Sequence, residues 1–177
     1  MATVIDGSAS VTINNGAVLG ITSGTVVAST SGTSIDFTGI PSWIKRLTVM
    51  FNGVSTNGSS NPLIQIGAGS VTTTGYETVT SRVRAGVAEV YRSTVGFNYG
   101  ADNSSMVLTG NSTITNITGN TWIFSGVVSQ VTVAGTPLSM QGGGSLVLGG
   151  TLDRIRVTTT NGTDTFDAGS INIMYEG

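Results

Sequence analysis

Residues 44–52 read Ile44-Lys45-Arg46-Leu47-Thr48-Val49-Met50-Phe51-Asn52. In an extended chain Leu47, Val49 and Phe51 fall on one side, and Arg46, Thr48 and Met50 on the other. A period of two is the signature of a strand with one buried face. The same alternation recurs along the chain between turn signals. Residues 10–13 lead into Asn14-Asn15-Gly16, and 25–30 and 34–38 are separated by Ser31-Gly32-Thr33. Ile64 and Ile66 oppose Leu63 and Gln65, and Trp122, Phe124, Gly126 and Val128 share one side of a long segment. Ile155 and Val157 oppose Arg154 and Arg156, Asn161-Gly162 marks a tight turn, and Ile171, Ile173 and Tyr175 align near the end. The expected fold is all-β: an antiparallel sandwich, jelly-roll-like, of roughly ten to twelve strands.

One stretch is ambiguous. In 76–93 the residues Val83, Val87 and Tyr91 recur at helical spacing. Against this, Val79, Ser81 and Val83 share one strand face, while Thr80, Arg82 and Arg84 share the other. Strands flanking a turn at Ala85-Gly86 are the preferred reading, with a short helix the alternative. Two pieces are expected. Residues 1–22 form an N-terminal arm with two short strands, and 23–177 form the sandwich domain.

Composition supports a β fold and excludes much chemistry. The chain of 177 residues has no Cys, no His, 26 Gly and 3 Pro. Without Cys there is no disulfide, thiolate metal site or thiol nucleophile. Without His there is no imidazole base or Ser–His–Asp triad. A net charge of −2 argues for no nucleic-acid partner. A hydrophobic fraction of 38% and a mean hydropathy of +0.26 argue against disorder. No run reaches the length of a membrane span, and the first residues lack the features of a signal peptide.

The remaining motifs read as structure. No pair of carboxylates is marked for glycoside hydrolysis. Asp164 and Asp167 sit three apart in a Gly-containing segment; calcium binding is the sharper reading and a plain turn the preferred one. Gln141-Gly142-Gly143-Gly144-Ser145 lacks the Lys and following helix of a phosphate loop, and is read as a turn or bulge between strands. The Asn-x-Ser/Thr triplets are frequent because the chain is rich in those residues. Trp122 is expected in the core. The candidate ligand or subunit contacts are Trp43, Lys45, Arg46, Tyr76, Arg154 and Arg156. For the basic pairs, cross-strand ion pairing is preferred to anion binding. No catalytic residue, cofactor or metal is expected.

Residues 24–67 resemble a segment frequent in phage and prophage tail-fibre proteins, and residues 150–177 resemble the C-terminus of the same domain. The resemblance implies a non-enzymatic virion surface protein, homotrimeric, made in the bacterial host cytoplasm. It implies host-surface recognition, of a glycan, at a fibre or spike. Tail fibres usually place such a domain after a long shaft, whereas about 22 residues precede it here. The alternative is therefore capsid decoration by a cement protein, with the N-terminal arm contacting other virion proteins.

Overall fold

The computed structural model describes residues 12–13, 16–17, 20–100, 103–132 and 137–177. Among these are sixteen strands and no helix. The first five are β1 (Thr12–Ile13), β2 (Gly16–Ala17), β3 (Thr22–Ser23), β4 (Val27–Ala28) and β5 (Ile35–Thr38). Then come β6 (Arg46–Thr56), β7 (Pro62–Ala68), β8 (Ser70–Val71), β9 (Glu77–Arg84), β10 (Val87–Ser93) and β11 (Phe97–Asn98). The chain continues through β12 (Met106–Thr118), β13 (Thr121–Thr132), β14 (Pro137–Val147), β15 (Arg154–Thr159) and β16 (Phe166–Glu176). Ten of the sixteen are four residues or longer, which is the expected number.

All pairings are antiparallel. A nine-stranded sheet runs β10-β9-β14-β13-β12-β6-β16-β3, with β4 also on β16. A five-stranded sheet runs β11-β7-β15-β5, with β8 on β7. Within them, β4-β16-β6-β12 faces β5-β15-β7-β11 as the chain passes from one sheet to the other. Numbering those eight strands in chain order gives 1-8-3-6 over 2-7-4-5, the strand order of a jelly roll. The hairpins β9–β10 and β13–β14 extend the larger sheet beyond this nucleus. Among the described residues β1 pairs with β2 alone; the boundary expected after residue 22 falls inside β3, and residues 1–11 lie outside those described.

The alternation at 44–52 is β6. Leu47, Val49 and Phe51 are buried and meet Ile66, Ile155 and Phe37 of the other sheet in one core cluster. Trp122 and Phe124 are buried in the same cluster, as expected. Under the extension, aromatic side chains fill the space that the shorter sheet leaves. Phe97 stacks on Phe124 at 4.8 Å, and Tyr76 meets Phe97 edge-on at 4.9 Å.

The ambiguous middle is a hairpin. β9 and β10 pair from Thr78↔Ser93 to Arg84↔Val87, and the turn is Ala85-Gly86 with Gly86 at φ 74°. Gln141–Ser145 corrects a sequence expectation: it lies inside β14, not in a turn. The reason is on the inner face. A side chain at Gly142 would strike the Thr80 methyl, and one at Gly126, across the ladder, would strike the Tyr99 hydroxyl. Glycine is required there by close packing rather than by turning.

Candidate functional site

The sequence-predicted contact residues divide into three places. Trp43 lies in the turn before β6, half-buried, with its ring 5.9 Å from Tyr175 at 61°. Lys45 is exposed and its N–H donates to the Glu176 carbonyl at 2.8 Å. Arg46 pairs with Glu176, its ladder partner on β16. Arg154 and Arg156 alternate with buried Ile155 and Val157, so they project from the outer side of the five-stranded sheet. Arg156 holds Asp36, its partner on β5, at 2.7 and 2.9 Å. Arg154 holds Asp153 at 2.8 and 3.1 Å.

The two basic pairs therefore stand on opposite outer faces and do not form one anion site. Each of the three guanidinium groups has a carboxylate, as the ion-pair reading expects. The Asp153 carboxyl is held below the usual carboxylate range by Arg154 and the Gly69 N–H, and Arg154 and Arg156 are raised by their partners.

Tyr76 is a correction. Its exposure is 0%. The Ile66 N–H donates to its hydroxyl at 2.8 Å, and the hydroxyl donates to the Thr72 carbonyl at 3.0 Å. It braces the core and is closed to a ligand. Its alternation with exposed Gly75 and Glu77 did not reveal this, because it precedes β9 and is buried by Phe97 from another element.

Asp164 and Asp167 do not converge either. Asp164 accepts from the Ser60 N–H at 2.9 Å and the Asn161 amide at 2.6 Å, which holds its pKa down; Asp167 accepts from the Ser55 hydroxyl. The Asp164 bonds tie two loops together and the Asp167 bond joins β16 to β6, which agrees with the plain-turn reading. Among the described residues no group of three or more His, Cys, Asp or Glu stands ready for a metal ion. No helix among them is long and apolar enough to cross a membrane.

The most distinctive surface was not marked by any motif. In β9 the buried side carries Thr78, Thr80 and Arg82, while the outer side carries Val79 at 50% and Val83 at 54% exposure. The polarity of the strand is inverted. Arg82 is held inside by Glu89, with Nε–Oε2 at 2.7 Å, and lies 5.4 Å from the Tyr91 ring centre. That contact and the Tyr91 hydroxyl bond depress the Glu89 pKa. The Thr78 and Thr80 hydroxyls are buried without a partner.

Outward, ladder pairing aligns Val79, Gly143, Ser125 and Thr113 across four strands, and Ser81, Gln141, Val127 and Asn111 beside them. Gly143 has no side chain, so these rows form a shallow trough of about 530 Å³. Val90 on the sheet's edge strand is 71% exposed and Val127 59%. The arrangement offers hydroxyls, amides and aliphatic ridges for binding, with no nucleophile–base pair. Comparison of the chain with protein-family models, curated proteins and solved structures finds no match.

Proposed function

We propose that this chain is a structural protein of a bacteriophage virion, displayed at the particle surface and built to pack against other protein. The observation that carries this reading is the outer face of β9, β14 and β13: almost uncharged, with Val79, Val83, Ile123, Val127 and Val147 exposed among its Ser, Thr and Gln residues. The jelly-roll order agrees by analogy, since the architecture recurs in viral capsid and lectin domains. The resemblance of residues 24–67 and 150–177 to tail-fibre segments points to a homotrimeric fibre or spike module that recognises a host-surface glycan. No enzymatic step enters this reading.

One observation favours a second reading, capsid decoration with the N-terminal arm on other virion proteins. The large apolar side chains exposed among the described residues are Val and Ile, not the flat aromatic rings on which sugars stack. Trp43 is half-buried against Tyr175. Quantifying copies per purified virion separates the two. Tens of copies, with purified protein blocking adsorption, supports the fibre; hundreds, with no blocking, supports decoration. Absence of the protein from purified virions overturns both.

A further inference from the structure

We infer that the outer face of β9, β13 and β14, with the edge strand β10, is where copies of this chain pack on one another. The inference rests on the packing role proposed above and names the partner: a second copy of the same chain. Three observations carry it.

The first is the inverted strand. A strand with one solvated face turns its aliphatic side inward. β9 buries Thr78, Thr80 and Arg82 and leaves Val79 and Val83 outside, so its apolar side finds no cover among the described residues.

The second is area. Val79, Val83, Val90, Ile123, Val127 and Val147 together expose on the order of 500 Å² of aliphatic surface. The Ser, Thr, Asn and Gln between them bring the face towards the roughly 800 Å² per partner of a stable interface.

The third is charge. Among the described residues, Glu77 and Arg92 are the charged groups of this face, and they pair with each other at 3.0 Å. A surface that meets its own copy meets its own charge, so net charge there is repulsive. This face carries none. A basic or acidic partner would require the opposite.

The trough also suggests how the copies fit. Val79, Val90 and Val127 line it, and Gly143, between Val79 and Ser125 in the ladder, adds no side chain, so an aliphatic side chain of a second copy has room to enter. Closed symmetric assembly, here the homotrimer, follows if the rotation between copies closes.

Analytical ultracentrifugation of the full chain tests this. The wild type is expected to sediment as an oligomer at micromolar concentration. Val79→Lys and Val127→Lys place charge on exposed positions and are expected to sediment as monomers. Thr38→Lys, exposed on the other sheet, is expected to leave the oligomer intact. Gly143→Leu covers the case in which the lysine variants fail to fold. A Cβ at Gly143 lies 3.6 Å from its nearest neighbour, an ordinary contact, so the backbone there accepts a side chain directed outward between Val79 and Ser125. It is expected to weaken association about tenfold or more, about 1.4 kcal/mol. A monomeric wild type, or a Gly143→Leu chain that assembles as the wild type does, overturns the inference. A monomer present on virions would sink this inference alone, whereas an oligomer absent from virions would sink only the virion reading.

Discussion

Gly142 and Gly143 are neighbours on β14 with opposite surroundings. A Cβ at Gly142 would press on the Thr80 methyl and come within 2.9 Å of the Val79 carbonyl; one at Gly143 meets nothing closer than 3.6 Å. Gly142→Ala is therefore expected to destabilise the fold by about 1–3 kcal/mol, the range for overpacking. Gly143→Ala is expected to leave the melting temperature nearly unchanged. Denaturant unfolding of the two variants checks the contrast. Burial separates the tyrosines as well. It raises the pKa of Tyr76 and Tyr99 above the ordinary value of 10.0, while the Ile66 N–H and the Ser112 hydroxyl, at 2.6 Å from Tyr99, offset part of the shift. A raised folded pKa means that the folded state keeps a proton which the unfolded state gives up. The stability from these groups is complete below about pH 10 and is lost as pH rises towards the folded values. Absorbance at alkaline pH is expected to show Tyr76 and Tyr99 ionising only with unfolding. Their replacement by Phe should reduce the amplitude of that late step.

At the level of elements, β9 and β14 show what alternation conveys and what it omits. Leu47, Val49 and Phe51, the Ala85-Gly86 turn, and Trp122 with Phe124 were legible because local pattern and burial agree there. The two faces of β9 were also legible as a pair. Which of them points inward was not, because that depends on pairing with β14, some sixty residues away in sequence, and on the room that Gly142 and Gly144 leave for Thr80 and Thr78. Tyr76 was misread for a related reason: its cover comes from Phe97, which no local spacing announces. Ion pairing of Arg46, Arg154 and Arg156 was legible as the preferred reading, but of their partners only Asp153, adjacent in sequence, was; Glu176 and Asp36 arrive through strand register. The inverted face carries an energetic cost, namely buried Thr hydroxyls without partners. Thr80→Val keeps the methyl against Gly142 and removes the unpaired hydroxyl, so it is expected to stabilise by about 1 kcal/mol. A lower melting temperature in Thr80→Val would contradict the bonding described for β9.

For the whole molecule, the absence of His and Cys removes the side chains that titrate between the acidic and alkaline limits. The carboxylates of Glu89, Asp153 and Asp164 have depressed values, so their contributions are present above about pH 4 and fade as pH falls through the folded pKa. The melting temperature is expected to be flat from roughly pH 5 to 9 and to fall on either side. A calorimetric series across pH checks it, and a sharp step near neutrality would contradict it. The connectivity sets a timing as well. Among the described residues β3 and β4 find their ladder partner in β16 alone, and β5 finds its partner in β15 alone. Strands made first during translation must wait for the strands made after residue 153. Until those leave the ribosome, the early strands stand with open edges and an uncovered apolar side. Such a nascent chain folds late, through long-range closure, and its yield in the cell depends on how well it is shielded during that interval.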